Sequence, residues 1–286
     1  MNGVWASSAS NAFVVGQGGK ILHYDGTAWR AESSGTDKDL YAVWGTAPDN
    51  VLAVGGTQGF NTGAYFGVIL HYDGTTWALQ SSPSLVLIRL WGSSPTDVYA
   101  VDVRGLLLHY DGANWTEQPN RPRGTTAAFW SLSASDIYAV GPPDSAWHFD
   151  GNGWTGQALN WLNSPPSDWV HGAYLYGVWA SAADNVFAVG TTNTCFPGSC
   201  GRAVLARSCG GPWTAEVVQE PGLSAIWGSS AADIYAVGDS GVILRREGHG
   251  WMRQQAVTMK GLGDVWGTPD GALFVIGPGV ILRGTR

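Results

Sequence analysis

The chain has 286 residues, of which 13% are charged, and a formal net charge of −7 at pH 7. This balance disfavours a nucleic-acid partner, because such binding depends on Lys and Arg neutralising phosphates. No basic cluster and no apolar run of membrane-spanning length occurs, so we expect no membrane insertion. The 41 glycines and 16 tryptophans are typical of short strands, tight turns and large aromatic packing residues.

One unit of about 39 residues recurs along the whole chain. Its first tryptophan occurs seven times, at Trp5, Trp44, Trp91, Trp130, Trp179, Trp227 and Trp266. Its second occurs six times, at Trp29, Trp77, Trp115, Trp154, Trp213 and Trp251. The length alone would allow two domains. Because each repeat needs its neighbours to bury its faces, we predict instead a single closed domain over residues 1–286.

Each unit reads as four short strands. In the second unit, the first strand ends at Trp44, the second follows Asn50, the third is the apolar run 68–72, and an Asp-Gly turn leads to a fourth at Trp77. Asp-Gly between apolar runs is a strong signal for a two-residue hairpin. The sequence therefore predicts an all-β fold, a seven-bladed β-propeller of four-stranded antiparallel blades that start near residues 3, 40, 87, 126, 175, 223 and 262.

The last unit ends at its third strand, in the run 280–283. Blade 7 is therefore predicted to have three strands. Because an unpaired sheet edge can pair with other chains, we also expect a strand or domain partner at this edge.

The repeat resembles a group of bacterial propeller proteins with the pattern W-G-S-S-x-x-D-V-Y-A-V-G…I-L-H-Y-D-G-x-x-W, matched here at 91–101 and 69–77. It is also similar to the Asp-box propellers of sialidases and photosystem-assembly factors, although the hairpin Asp-Gly-x-x-Trp is one residue tighter than theirs. The sialidase catalytic residues have no counterpart. Because many such proteins look secreted, the resemblance implies an extracellular or cell-surface location. The first strand follows Met1 almost at once, so no signal peptide is visible; a cytoplasmic or a trimmed chain would explain this.

The units differ mainly at three insertions, in residues 55–67, 156–177 and 191–202. The first and third lie between the second and third strands of blades 2 and 5, and the second joins blades 4 and 5. All three should emerge on one face, because these connections leave a propeller blade at the same end. Binding residues concentrate on loops held by a rigid scaffold, so we predict the ligand site on this face.

Aromatic planes beside polar groups suit sugar or peptide recognition. The candidate ligand-binding residues on this face are Trp161, Asp168, Trp169, His171, Tyr174, Tyr65, Arg104 and Arg121. The alternative is that the rings only anchor long loops to the propeller.

The recurring histidines are predicted to be structural. His23, His71, His109 and His148 each lie six residues before a hairpin tryptophan, and Arg207 and Arg245 take the same place in blades 5 and 6. A position that accepts His or Arg calls for a hydrogen-bond donor, not a general base. We therefore predict no catalytic residue, no metal site and no cofactor.

The three cysteines, Cys195, Cys200 and Cys209, lie close together in sequence. They suggest a Cys195–Cys200 disulfide with one spare thiol rather than a zinc site. The function that these observations favour is a non-catalytic, lectin-like binding module for a glycan or another surface ligand. The alternative is a protein–protein interaction scaffold in a larger secreted assembly, and a glycosidase or lyase is less favoured.

Overall fold

The computed structural model describes residues 1–59, 63–118, 121–122, 126–162, 172–192, 195–196, 199–248 and 250–286, with only the backbone at 195–196 and 199–200. The fold is a seven-bladed β-propeller, as predicted, and the described part of the chain contains no α-helix. In particular, none of the described residues form a helix long and apolar enough to cross a membrane.

The chain divides into two compact units, Met1–Pro119 with Trp266–Arg286, and Asn120–Val265. The first unit holds blades 1 to 3 and most of blade 7. Blade 1 contains β1 (Gly3–Ser8), β2 (Asn11–Val15), β3 (Ile21–Tyr24) and β4 (Trp29–Glu32). Blade 2 contains β5 (Leu40–Ala47), β6 (Asn50–Gln58), β7 (Tyr65–Tyr72) and β8 (Trp77–Ser81). Blade 3 contains β9 (Leu87–Ser94), β10 (Asp97–Asp102), β11 (Leu107–Tyr110) and β12 (Trp115–Glu117).

The second unit holds blades 4 to 6. Blade 4 contains β13 (Ala128–Ser133), β14 (Asp136–Gly141), β15 (Ser145–Phe149) and β16 (Trp154–Gln157). Blade 5 contains β17 (Leu159–Trp161), β18 (Ala173–Ala182), β19 (Asn185–Thr192), β22 (Arg202–Ser208) and β23 (Trp213–Pro221), with a small hairpin of β20 (Cys195–Phe196) and β21 (Ser199–Cys200). Blade 6 contains β24 (Leu223–Ser230), β25 (Asp233–Gly238), β26 (Ile243–Glu247) and β27 (Gly250–Arg253).

Blade 7 has three strands, which confirms the prediction: β28 (Asp264–Gly267), β29 (Ala272–Gly277) and β30 (Val280–Thr285). Two short 3-10 turns, Gln17–Gly19 and Asp239–Gly241, join the second and third strands of blades 1 and 6. The seven blades start at residues 3, 40, 87, 128, 173, 223 and 264, close to the predicted positions.

Blade 5 departs from the predicted four strands. Its sheet has the order β17-β23-β22-β19-β18, and β17 pairs in parallel with β23, with Leu159 opposite Trp213 and Trp161 opposite Ala215. The chain that leaves blade 4 thus pairs with the outer edge of blade 5 before it reaches β18. Covering an exposed sheet edge satisfies backbone groups that would otherwise stay unpaired.

The second strand of each blade forms the centre of the local core. Ala12, Phe13, Val14 and Val15 of β2 are fully buried, and the corresponding residues of the other blades are also buried. These strands are apolar on both faces, as is typical of strands in sheets that are covered on both sides. The rigid sheets leave the connections at their ends as the variable parts of the surface.

Candidate functional site

The insertion of blade 2 is an extension of its β-ladder. Strands β6 and β7 remain paired as far as Gln58 opposite Tyr65, and the amide of Gly59 donates to the carbonyl of Ala64 at 2.7 Å. Tyr65 is half-buried, whereas its neighbour Phe66 is 50% exposed. The longer connection therefore carries aromatic side chains beyond the end of the blade, and the backbone that holds them is still hydrogen-bonded as a β-ladder.

The short turn of blade 3 is organised by a buried carboxylate. Asp102 is fully buried, and its Oδ1 accepts hydrogen bonds from the amides of Arg104 at 2.8 Å and Leu106 at 2.7 Å. Its Oδ2 accepts from Nε of Arg104 at 2.8 Å. The amide of Val103 donates to the carbonyl of Val86 at 3.0 Å, which ties the turn to the entry of the blade. One carboxylate thus determines both the turn conformation and the direction of the Arg104 side chain.

The structure brings two of the predicted binding residues together. The guanidinium carbon of Arg104 lies 4.8 Å from the centre of the Tyr65 ring, a cation–π contact between blades 2 and 3. The hydrogen bond with Asp102 raises the pKa of the Arg104 guanidinium, which therefore stays charged. The side chain is 45% exposed, and Val103 beside it is 40% exposed. Phe66 points to the other face of the ladder, with Val68 and Leu70, so we call Tyr65, Val103 and Arg104 the blade 2–3 surface.

The other predicted ligand residues lie elsewhere or outside the described residues. Trp161 is on β17, half-buried against the apolar cluster of the second unit. Tyr174 is half-buried on β18, with its ring centre 6.4 Å from that of Tyr176. Arg121 is exposed just before blade 4. Asp168, Trp169 and His171 fall outside the part of the chain that the structure describes.

The predicted disulfide partners face each other in the backbone. Cys195 of β20 is directly opposite Cys200 of β21 in the register of their hairpin. Cys209 is a free, exposed cysteine. The register puts the two chain positions side by side, and the disulfide itself stays a prediction.

The recurring His and Arg side chains are hydrogen-bond donors to the start of the neighbouring strand, as predicted. The pairs are His71 Nε2 with Asn50 Oδ1 at 2.7 Å, His109 Nε2 with Asp97 Oδ1 at 2.8 Å, His148 Nε2 with Asp136 Oδ1 at 2.7 Å, Arg207 with Asn185 at 3.3 Å and Arg245 with Asp233 at 3.5 Å. His23 also contacts the start of the neighbouring strand, with its Nε2 3.3 Å from Nδ2 of Asn11, and its Nδ1 bonds Glu32 as well, at 2.7 Å. These side chains join strands of one blade.

A second recurring hydrogen bond was missed from the sequence. The indole Nε1 of a hairpin tryptophan donates to a Glu or Gln of the preceding blade: Trp77 to Glu32 at 2.8 Å, Trp115 to Gln80 at 3.1 Å and Trp213 to Gln157 at 2.6 Å. Each acceptor lies three residues after the tryptophan of its own blade, so the signal was a repeated Trp-x-x-Glu/Gln. The hairpin tryptophans are therefore both packing residues and hydrogen-bond donors between blades.

Among the residues that the structure describes, no group of three or more His, Cys, Asp or Glu side chains is arranged to hold a metal ion. The titratable groups with the largest pKa changes are tyrosines and turn aspartates of the repeat. Burial raises the pKa of Tyr99 to about 12, for example. Because these shifts recur with the repeat, they reflect how the blades are built.

Comparison with known proteins supports the fold. No protein-family profile and no curated protein sequence matches the chain. Among solved structures, it is similar to "YCF48 bound to D1 peptide" (TM-score 0.71, 13% identity, 99% of this chain and 90% of that chain). It is also similar to YCF48 from Cyanidioschyzon merolae (TM-score 0.71, 14% identity, 99% and 95%) and to the WD40 β-propeller domain of Doa1 (TM-score 0.66, 11% identity, 99% and 90%). At these identities the likeness shows the propeller fold alone.

Proposed function

We propose that this propeller is a protein-binding scaffold that takes peptide segments of a partner on the blade 2–3 surface. The observation that carries the proposal is the position of Arg104, which is held over the Tyr65 ring by the buried carboxylate of Asp102. Loops of two blades contribute to this one arrangement.

Pre-organisation is the physical reason why this surface suits binding. Association is weakened by the loss of side-chain freedom, about 0.5–1.5 kcal/mol for each flexible side chain that becomes ordered. Arg104 is already held on both its backbone amide and its Nε, so less freedom is lost when a partner binds. Arg and Tyr are also enriched among the residues that dominate binding energy at protein interfaces.

The chemistry of the surface indicates the kind of segment it would bind. The terminal guanidinium nitrogens of Arg104 donate to none of the described residues, and they suit a carboxylate or a backbone carbonyl. Val103, the neighbour of Arg104 in the same turn, offers exposed apolar area. We therefore propose a segment that combines an apolar side chain with a hydrogen-bond acceptor.

The comparison with YCF48 supports this class of partner. A propeller of similar fold has been solved with a D1 peptide bound. That structure supports peptide binding as a use of this architecture, and the choice of the blade 2–3 surface rests on the contacts of this chain.

Selection from a random peptide library, followed by affinity measurements on variants, tests the proposal. Arg104→Ala should weaken the selected peptides at least tenfold, because it removes the central cation. Arg30→Ala is the matched control, since the Nε of Arg30 bonds the Asp25 carboxylate at the same 2.8 Å. If the peptides bind both variants as tightly as the parent protein, the blade 2–3 surface is not the site.

A glycan is the second candidate ligand. It is favoured by the half-buried rings of Tyr174 and Tyr176, whose planes lie 26° apart on one face of β18. A glycan array with the parent protein, Tyr174→Ala and a Trp169→Ala, His171→Ala double variant tests this candidate. Saccharide binding that both variants lose would favour a glycan site, and no binding to any saccharide would remove this candidate.

We also propose that the protein works outside the cell, as part of a larger secreted or cell-surface assembly. The support is the facing register of Cys195 and Cys200, because disulfides persist in oxidising compartments. Fractionation of the source cells with an antibody against the chain would test the location. Detection in the cytoplasm alone would contradict it.

A further inference from the structure

Blade 2 lacks an aromatic ring that the other six blades have. The second strand of each blade has a Phe or Tyr opposite the recurring His or Arg of the third strand, except in blade 2, where Leu52 is opposite His71. The rings are Phe13, Tyr99, Tyr138, Phe187, Tyr235 and Phe274.

Two kinds of contact recur for this ring in other blades. First, it lies against the cation or imidazole of its own blade. The ring centres are 4.1 Å apart for Phe13 and His23, and 4.5 Å apart for both Tyr99 with His109 and Tyr138 with His148. Arg207 lies 5.3 Å above Phe187, and Arg245 lies 5.4 Å above Tyr235. Second, the ring contacts the hairpin tryptophan of the next blade.

Examples of the tryptophan contact are Phe13 with Trp77 at 5.6 Å, Phe187 with Trp251 at 6.4 Å and Phe274 with Trp29 at 6.2 Å. The ring therefore fills the gap between two blades and covers one face of the imidazole or guanidinium. In blade 2 the side chain of Leu52 is too small to do either.

A cavity of about 300 Å³ lies at the corresponding place between blades 2 and 3. Its lining includes Trp44, Asn50, Leu52, His71, Gln80 and Tyr110. Tyr110 of blade 3 lines the cavity, and both it and the nearby Trp115 are half-buried.

The walls combine apolar surface with a few oriented polar groups. His71 is held by its Nε2 on Asn50 Oδ1 at 2.7 Å, and Asn50 in turn donates from Nδ2 to Thr46 Oγ1 at 3.0 Å. Gln80 uses its Oε1 to accept from Trp115, which leaves its amide nitrogen as a donor at the cavity. Small-molecule sites have this character, with volumes from about 300 Å³ upward.

We infer that this cavity binds one planar aromatic ring of indole or phenol size, carried either by a free small molecule or by an aromatic side chain of a peptide. The ring would stack on the face of His71 that the blade's own ring covers elsewhere. It would also contact Tyr110, as Phe13 contacts Tyr72 at 5.1 Å between blades 1 and 2. Offset stacking at such distances is favourable.

This site is independent of the proposed function. The cavity lies at the end of the blades that carries the Asp-Gly turns, since Gly112 and Thr96 line it. The blade 2–3 surface lies at the opposite end of the same strands. Failure of one proposal therefore leaves the other untouched.

Saturation-transfer NMR with indole and with N-acetyltryptophanamide tests the inference. Leu52→Phe restores the repeat and fills the cavity, whereas Leu52→Ile keeps the volume and serves as the matched control. We expect the parent protein and Leu52→Ile to bind at least one probe, and Leu52→Phe to bind it at least tenfold more weakly. A response to indole alone would indicate a free ligand, and a response to N-acetyltryptophanamide alone would indicate a peptide side chain.

Two results would overturn the inference: no saturation transfer to either probe in the parent protein, or equal binding by Leu52→Phe. Circular dichroism first establishes that both variants keep the fold. If Leu52→Phe does not fold, the ring-proton signals of His71 in the parent protein provide the test. A probe ring stacked on His71 shifts these signals upfield. An unchanged His71 signal at saturating probe would then refute ring binding in this cavity.

Discussion

Replacement of Asp102 by Ala should destabilise the protein and disorganise the blade 2–3 surface. The change removes three hydrogen bonds, from the amides of Arg104 and Leu106 and from Nε of Arg104. Hydrogen bonds to charged groups contribute about 1.5–3 kcal/mol each, and a buried donor left without a partner costs about 1–3 kcal/mol. Because the large cost of burying a carboxylate is also removed, we expect a net loss of about 3 kcal/mol.

Urea denaturation followed by tryptophan fluorescence measures this loss. With a slope of about 3 kcal/mol per M, the midpoint should fall by about 1 M. Asp102→Asn is the control, because its amide oxygen still accepts from the two backbone amides, whereas its NH2 group replaces the oxygen that accepts from Arg104 Nε. It should lose about 1 kcal/mol.

The result that would refute the reasoning is a midpoint for Asp102→Ala within about 0.2 M of the parent value. Asp102 would then not organise the turn, and the pre-organisation of Arg104 would lose its basis. Peptides selected on the parent protein supply a second readout. They should bind Asp102→Ala more weakly even under conditions where the variant is fully folded.

Three further predictions concern the repeat and the cysteines. Trp213→Phe should lose about 2–3 kcal/mol in urea denaturation, because the indole is fully buried and donates to the preceding blade, whereas Trp115→Phe, at a half-buried site, should lose about 1 kcal/mol. Equal losses would contradict the role of burial. Hydrogen bonds from the Thr76 amide and from the hydroxyl and amide of Thr75 lower the pKa of Asp73 from 3.8 to about 2. The Asp73 carboxylate therefore stabilises the fold above about pH 4, and this contribution disappears as the pH falls through about 2. Asp73→Asn should therefore show a smaller loss of stability over that range in acid titrations, and an unchanged titration would refute this. A thiol reagent added to the denatured, unreduced protein should react with one cysteine if Cys195 and Cys200 are bridged, whereas three reacting thiols would exclude the disulfide.

The blade architecture could be predicted because its signals lie close together in sequence. Asp73-Gly74 specifies a tight hairpin, because the Asp73 carboxylate accepts from the amides of Thr75 and Thr76 and Gly74 has a φ of +94°. The repeat of Trp44 at the end of the first strand marks each new blade. The end of the chain in a third strand was enough to predict the three strands of blade 7.

The role of the recurring histidines could also be predicted, because the comparison of units substitutes for tertiary information. The same repeat position holds His148 in blade 4 and Arg207 in blade 5. Because arginine does not serve as a general base, the comparison indicated a structural role for this position. The structure supplied the partners, such as Asp136 for His148.

Only the tertiary structure decided which variable residues meet. Tyr65 and Arg104 were both predicted as binding residues, but they lie 39 residues apart, and their contact depends on how two blades pack side by side. The parallel pairing of β17 with β23 likewise depends on which sheet edge lies beside the chain. The cavity at Leu52 required both sources: the sequence shows a leucine where the other blades have a ring, and only the packed blades show a cavity at that place. Strands and turns follow from interactions between neighbours in sequence, whereas the site follows from contacts between blades, which no local pattern encodes.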